Sequence, residues 1–189
     1  MARTHPPTAP APPNASAREV SDTGRRGLYT PEERRRRDES PWTLVQGVLA
    51  PLQFLVMIVS VVLLVRYLGT GSGAGAAEWS VIVKTGLLYL IMVTGSIWEK
   101  EVFGEWLFAE PFFWEDVVSM GVILLHTAYL VGLFAGIGSG VALAWLALVA
   151  YAVYTVNAVQ FVLKLRAARL QEQEMASAAP LASRAGSPA

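Results

Sequence analysis

The chain has 189 residues, of which 53% are hydrophobic, and its formal net charge is zero. Its mean hydropathy is +0.42, and its apolar share exceeds the roughly 45–50% of a soluble domain, so a membrane protein is favoured. The chain contains no cysteine, which excludes a disulfide framework, thiol redox chemistry and a thiolate metal site.

The two ends of the chain are polar, and the apolar residues lie between them. Residues 1–28 are rich in Pro, Ala, Thr and Ser. This composition cannot bury enough apolar surface to offset the entropy of ordering, so a disordered tail is predicted. Residues 171–189 return to Ala, Ser and Pro and are predicted to form a second disordered tail. The ordered domain is therefore expected over residues 29–170.

A helix-start signal follows the first tail. Thr30 is a suitable N-cap, and Pro31 suits the first helical position. Glu32 and Glu33 place negative charge in the first turn, where it is favourable. We therefore expect a short amphipathic helix that carries Arg34–Arg37 and precedes the first apolar segment.

Four apolar segments lie between the tails. They cover about residues 44–65, 79–97, 114–136 and 141–163. Each is close to the roughly 20 residues that cross a hydrocarbon core about 30 Å thick. A soluble helix bundle would need a polar face on every helix, and parts of the first and fourth segments have none. The sequence therefore predicts an all-α integral membrane four-helix bundle.

Basic residues flank the outer ends of the first and fourth segments. They are Arg25, Arg26, Arg34–Arg37, Lys164, Arg166 and Arg169. By the positive-inside rule, both termini are predicted to lie in the cytoplasm. The two glycine-rich links, residues 69–75 and 136–140, then face outward, and residues 98–116 form the cytoplasmic link between the second and third segments.

The link over residues 98–116 combines acidic and aromatic side chains. It holds three of the chain's six tryptophans, four of its seven phenylalanines and six acidic residues. Such a mixture beside a membrane could build a site for a flat, hydrophobic substrate. It could also be only an interfacial aromatic belt. Glu105 and Glu110 are expected to be solvated in either case.

Polar residues continue from this link into the third segment. Their spacing places them on one helix face: Glu115, Ser119, Val122 and His126. At 1.5 Å per residue, Glu115 and His126 are about 16 Å apart along the axis. They would not touch, but both could line one elongated pocket. Alternatively, Glu115 and Asp116 serve only as favourable charges at a helix N-terminus.

A second polar face runs along the fourth segment. It consists of Tyr151, Tyr154, Asn157, either Gln160 or Phe161, and Lys164. In lipid, such residues must face protein or water. Asn157 and Gln160 could do no more than hydrogen-bond between helices, and Lys164 could only snorkel to the interface. Lys84, in the second segment, is expected to snorkel outward.

Several long motifs resemble those of a known family. They are residues 29–38 (YTPEERRRRD), 41–47 (PWTLVQG), 97–100 (IWEK), 112–116 (FFWED) and 125–130 (LHTAYL). With shorter matches elsewhere, they cover about residues 28–170, the whole predicted ordered domain. In these motifs the chain resembles the 2-vinyl bacteriochlorophyllide hydratase family of bacteriochlorophyll biosynthesis.

The resemblance implies a hydro-lyase that adds water to the ring-A vinyl group of a chlorophyllide-type macrocycle and forms a 1-hydroxyethyl group. It implies no cofactor, because the magnesium belongs to the substrate. The expected partners are this tetrapyrrole, the lipid bilayer and other bacteriochlorophyll-biosynthesis enzymes, and nucleic acid is not expected. The implied location is the bacterial inner membrane, cytoplasmic or intracytoplasmic photosynthetic, with a multi-pass topology.

The roles of individual residues follow from their chemistry and place in the sequence. Protonation of a vinyl group needs a carboxylic acid in an apolar setting, and attack by water needs a base. The candidate catalytic residues are Glu99, Glu115, Asp116 and His126. The candidate substrate contacts are Trp98, Lys100, Trp106, Phe112, Trp114, Tyr129, Asn157, Gln160 and Lys164. His126 could instead be an axial ligand of the substrate magnesium.

Two other functions fit parts of this pattern. A non-catalytic pigment-binding or assembly subunit of a photosynthetic complex would use His126 as a chlorophyll ligand and leave the carboxylates idle. A small transporter would carry polar residues across both leaflets, whereas here they concentrate toward one side. Without the resemblance, the residues alone support only a four-helix membrane protein with a site at its predicted cytoplasmic side.

Overall fold

The computed structural model describes residues 27–185, which form helices and turns without a strand. The helices are α1 (Pro31–Glu39), α2 (Pro41–Thr70), α3 (Ala74–Phe103), α4 (Phe113–Ala135) and α5 (Gly140–Ala185), with a 3-10 turn at Glu110–Phe112. Four of them are long and apolar enough to cross a membrane. The predicted all-α four-helix membrane architecture is confirmed. Of the predicted tail over residues 1–28, residues 1–26 lie outside the described residues.

The short helix α1 forms where the sequence predicts it. The Thr30 side chain accepts a hydrogen bond from the Glu33 amide, and the Glu33 carboxylate accepts one from the Thr30 amide. This capping box satisfies two amides that the first helical turn leaves free. Every residue after Pro31 in α1 is charged and none is buried. The helix therefore lacks the apolar face of an amphipathic helix and is held by ion pairs.

Those ion pairs join α1 to the last helix. Arg34 and Arg37 both contact Glu172, at 3.3 Å and 3.1 Å. Helix α5 reaches Glu172 because it runs to Ala185, through residues whose composition predicts a disordered tail. The physical reason lies in residues 170–175, LQEQEM, which are all strong helix formers and extend the apolar segment without a break.

The four spanning helices are longer than the apolar segments from which they are predicted, and the link between α2 and α3 is short. Only residues 71–73 separate α2 from α3. Gly71 and Gly73 both adopt positive φ, +70° and +85°, which a residue with a side chain rarely does. Glycine therefore allows this link to reverse the chain within three residues.

Two antiparallel helix pairs, α2 with α3 and α4 with α5, pack into one bundle. Alanines 144, 147 and 150 of α5 are almost fully buried, which lets neighbouring helices approach closely. Successive helices run in opposite directions. The end of α3, residues 104–112 and the start of α4 therefore lie together at one end of the bundle, called here the carboxylate end. The links 71–73 and 136–139 lie at the opposite end, called the glycine-loop end.

Candidate active site

Two buried carboxyl groups meet at the carboxylate end. Glu99, in the last turn of α3, is 5% exposed, and Asp116, in the first turn of α4, is 2% exposed. The two groups lie within hydrogen-bonding contact of each other. Because a carboxylate only accepts hydrogen bonds, a bond between two carboxyl groups requires a proton on one of them. Glu99 and Asp116 are called the carboxyl pair below.

Two successive backbone amides in the turn between α3 and α4, residues 104–112, bind the carboxyl pair. The Phe108 amide donates to Oδ2 of Asp116 at 2.8 Å, and the Ala109 amide donates to Oε2 of Glu99 at 3.3 Å. Each carboxyl group therefore has its own backbone donor, and both donors come from adjacent residues. The turn fixes the position of each group as well as the distance between them.

This arrangement needs an unusual backbone at Phe108. Its φ is +62°, the one positive φ at a non-glycine residue among residues 27–185. A bulky side chain in this left-handed region is uncommon, and such strain persists only where the surrounding structure maintains it. At Phe108 the strained backbone directs an amide at Asp116. The strain is therefore coupled to the geometry of the carboxyl pair.

Glu115 does not join the carboxyl pair. Its Oε2 lies 2.5 Å from Nζ of Lys164 on α5, and both side chains are largely enclosed. Lys164 Nζ also lies 5.2 Å from the centre of the Phe112 ring. The negative charge of Glu115 is thus compensated by Lys164, and the ion pair joins the start of α4 to α5.

Aromatic rings pack next to the carboxyl pair. Phe112 is buried, and its ring centre lies 5.8 Å from those of Trp98, Phe103 and Phe161. The Trp98 indole N–H donates to the Thr43 hydroxyl at 2.9 Å. These contacts fix Trp98 and Phe112 as a rigid wall. Both of these predicted substrate contacts therefore lie at the same end as the carboxyl pair.

Other aromatic side chains at this end point outward. Phe108, Phe113 and Trp114 form a chain of ring contacts with centres 5.8 Å and 5.5 Å apart, and Trp114 is 69% exposed. These three residues are called the outer aromatic face. Trp106, in the same turn, is also exposed. The outer aromatic face adjoins the carboxyl pair because Phe108 contributes both a ring to the face and an amide to Asp116.

The other charged side chains within residues 98–116 either bond to neighbouring protein groups or are exposed to solvent. The Lys100 amine donates to the Gly104 carbonyl at 2.7 Å and lies 5.9 Å from the Trp106 ring centre. Glu101 accepts a hydrogen bond from the Ser40 hydroxyl. Glu105 and Glu110 are exposed, as the sequence predicts.

Four predicted site residues lie on α4 and α5 outside the carboxyl pair. Asn157 donates to the Ser119 hydroxyl at 2.7 Å, an interhelical hydrogen bond, and Gln160 lies one turn further along α5. Tyr129 lines a narrow cleft near the glycine-loop end, which is far smaller than a typical ligand pocket. His126 lies in the interior, with Nδ1 2.8 Å from the Val122 carbonyl.

The interpretation of Lys84 as an outward-snorkelling residue is wrong. Its side chain is fully buried, donates to Gln53 at 3.1 Å and lies 3.8 Å from the centre of the Tyr154 ring. The side chain can lie inside because Gln53 offers an oxygen acceptor and the tyrosine ring offers a negative π face. No ion pair joins Lys84 to any residue in the described part of the chain.

Comparisons with known proteins identify the family. The family described as 2-vinyl bacteriochlorophyllide hydratase (BCHF) matches residues 29–167. The chain belongs to this hydratase family. It is thus a hydro-lyase, as the resemblance implies. No solved structure matches the chain at a significant level.

Two curated relatives, both described as 2-vinyl bacteriochlorophyllide hydratase, cover most of the chain. The Rhodobacter capsulatus protein is 63% identical over 147 residues, which span 78% of this chain and 85% of the relative. The Cereibacter sphaeroides protein is 57% identical over 164 residues, which span 87% of this chain and 95% of the relative. The family resemblance found in the sequence motifs is confirmed.

Sequence reasoning missed Phe108 and Ala109, because their contribution comes from backbone amides. No residue-type signal marks a phenylalanine that will adopt positive φ. It also missed the inward direction of Lys84. The facing Gln53 gives a partial signal, because Gln53 and Lys84 lie at matching levels of the antiparallel helices α2 and α3.

Proposed function

We propose that the chain hydrates the ring-A vinyl group of a bacteriochlorophyllide intermediate and that the carboxyl pair performs the acid–base chemistry. Family membership supports the reaction class. The observation that carries the assignment of the site is the direct contact between Glu99 and Asp116, each bound by its own backbone amide. One protonated and one ionised carboxyl group are the acid and the base that hydration needs.

The reaction begins with proton transfer from the protonated member of the carboxyl pair to the terminal vinyl carbon. That carbon becomes a methyl group, and the positive charge on the inner carbon is delocalised into the macrocycle. A water molecule then attacks the inner carbon, and the ionised carboxylate takes a proton from it. The product is the 1-hydroxyethyl group, which contains the oxygen and one hydrogen of that water and one proton from the carboxyl pair.

The contact between the two carboxyl groups completes the cycle. After hydration, the group that donated its proton is ionised and the other group is protonated. Because Glu99 and Asp116 lie within hydrogen-bonding contact, the proton can return along that bond without a solvent molecule. The site therefore needs no net proton uptake, which agrees with the stoichiometry of adding one water.

The backbone amides that bind the carboxyl pair are expected to contribute to the rate of hydration. Replacing Ala109 by proline removes the N–H that binds Glu99, and the Ala109 φ of −51° suits a proline ring. We expect kcat to fall by about a hundredfold, as for loss of one preorganised donor. Ala109→Gly keeps the N–H and is the control. A proline variant with wild-type kcat and an unchanged thermal midpoint would contradict this role.

The macrocycle is proposed to lie against the outer aromatic face, with only its vinyl edge directed at the carboxyl pair. Phe108, Phe113 and Trp114 offer apolar rings at the surface of the bundle, and flat aromatic groups stack on such rings. A hydrophobic pigment can reach this surface from the bilayer. Lys100 and Lys164 lie at the same end and are candidate partners for the substrate propionate.

This docking position gives a second expected result. Trp114→Ala should raise KM for the vinyl substrate about tenfold, equivalent to about 1.4 kcal/mol of lost binding, with a smaller change in kcat. Trp145→Ala is the matched control, because Trp145 is a similarly exposed tryptophan on α5 near the glycine-loop end. Equal KM values for the two variants would exclude the outer aromatic face as the docking surface.

We further propose that the carboxylate end faces the cytoplasm in the bacterial inner membrane. The basic residues of α1 and of α5 after Leu163 support this orientation. The chain has no cysteine, so single cysteines can report sidedness. Glu105→Cys should react with an impermeant maleimide only in inside-out vesicles, and Ser72→Cys only in right-side-out vesicles. The reverse pattern would overturn the orientation.

The function itself is tested by expressing the chain in a host that lacks this pathway and supplying its membranes with a vinyl chlorophyllide. We expect a product heavier by one water, absent from membranes without the chain. A protein that retains the pigment but forms no such product would instead be a pigment-binding subunit.

A further inference from the structure

A column of buried polar side chains leads from the bundle interior toward the carboxylate end. Along α4 and α5 the contacts occur at three levels: His126 against Tyr151, Ser119 bonded to Asn157, and Glu115 bonded to Lys164. Eleven residues of α4 separate the first level from the last, a distance of about 16 Å. Lys84 adjoins this part of the column, because its Nζ lies 3.8 Å from the centre of the Tyr154 ring, about one turn of α5 from Tyr151. The interior column consists of the side chains of these three levels, of Lys84, and of Gln160, which lies on α5 between Asn157 and Lys164.

Three atoms of the interior column are buried and have no hydrogen-bond partner among the described residues. They are Nε2 of His126, Oδ1 of Asn157 and Oε1 of Gln160. Buried polar atoms are nearly always paired, because leaving them unpaired in a low-dielectric interior is costly. Three such atoms on one polar path therefore indicate that something pairs with them.

All three atoms are acceptors. His126 Nδ1 faces the Val122 carbonyl at 2.8 Å, so Nδ1 carries the ring proton and Nε2 has a free lone pair. The Asn157 amide nitrogen is already used on Ser119, which leaves its oxygen. The missing partner must therefore donate hydrogen bonds. A metal cation is disfavoured by the neighbouring Lys84 amine, whereas water is small, neutral and a double donor.

We infer that the interior column holds a file of water molecules that reaches the carboxyl pair and supplies the water that adds to the vinyl group. The role in supply rests on the proposed function. A flat, apolar substrate on the outer aromatic face covers the direct approach from the surface. Water held on the opposite side of the carboxyl pair can still reach the inner vinyl carbon while the macrocycle is bound.

The presence of water can be measured without turnover. The chain has two histidines, His5 and His126, so in a His5→Gln variant labelled with nitrogen-15 histidine every histidine signal comes from His126. Water-edited solid-state NMR in liposomes should show rapid magnetisation transfer from water to the His126 ring. In the same sample with labelled threonine, Thr127 is the dry comparison, because its hydroxyl is paired with Tyr89 and with the Ile123 carbonyl. Transfer to His126 as slow as to Thr127 would overturn the proposal.

The supply role is tested by the variants Asn157→Leu and Gln160→Leu. Each should weaken the water signal at His126 and lower kcat by about one to two orders of magnitude, as for a misplaced reactant, with KM for the vinyl substrate unchanged. Thr127→Val is the control and should keep wild-type kcat. Leucine variants with wild-type kcat would overturn the supply role. Water at His126 in a chain that forms no hydrated product would support the water file and contradict the proposed function instead.

Discussion

Replacing Glu99 by glutamine is expected to lower turnover of the vinyl substrate by about two to four orders of magnitude, the usual contribution of a positioned acid or base. Glutamine keeps the size of the side chain and can still accept the Ala109 N–H bond. It cannot donate or take the proton that the reaction moves. The measurement is the initial rate of product formation in membranes that contain equal amounts of inserted protein.

The same experiment on neighbouring acids shows whether the effect belongs to the carboxyl pair. Asp116→Asn should cause a comparable loss, and the double variant should lose little more, because two groups that act as one unit are not additive. Glu105→Gln is the matched control, since Glu105 is exposed in the adjoining turn. Wild-type turnover in both Glu99→Gln and Asp116→Asn would contradict the assignment.

Phe112→Ala is expected to have the largest effect on stability. The Phe112 ring is 2% exposed and contacts Trp98, Phe103 and Phe161. Its removal leaves a cavity between α3, α4 and α5 and should cost on the order of 3 kcal/mol. The carboxyl pair lies beside this cluster, so kcat should fall as well. The thermal midpoint in detergent measures the first effect, and the rate at a temperature below that midpoint measures the second.

The neighbouring phenylalanine provides the control. Phe113 is 44% exposed, so Phe113→Ala should leave the thermal midpoint within a few degrees of wild type while weakening substrate binding. If Phe113→Ala destabilises the protein more than Phe112→Ala, then the aromatic cluster around Phe112 does not hold the carboxylate end together.

The fold could be predicted because its signals are local. Four apolar segments of spanning length predict the four helices, and the Thr30 capping box marks the start of α1. The extent of α5 could not be predicted from the same kind of signal. The part of α5 that follows the apolar segment carries Glu172, which pairs with Arg34 and Arg37, and these contacts join residues far apart in the sequence.

The candidate site could be predicted only in part. Its residue types and its end of the bundle follow from residues 98–116, and the shared face of Glu115, Ser119 and His126 is confirmed by their burial. Which acids meet was not predictable. Helix geometry directs Asp116 to Glu99 and Glu115 to Lys164. The backbone of Phe108 depends on the packing of the whole turn, and no sequence pattern marks it.

We propose that the chain adds solvent water across the vinyl group by proton transfer to the terminal carbon. The most direct test is the mass spectrum of product formed by the purified chain in heavy-oxygen water and, separately, in deuterated water. We predict one solvent oxygen in the new hydroxyl group and one non-exchanging solvent hydrogen on the new methyl group. A product whose oxygen does not come from water, or whose methyl group carries no solvent hydrogen, would contradict it.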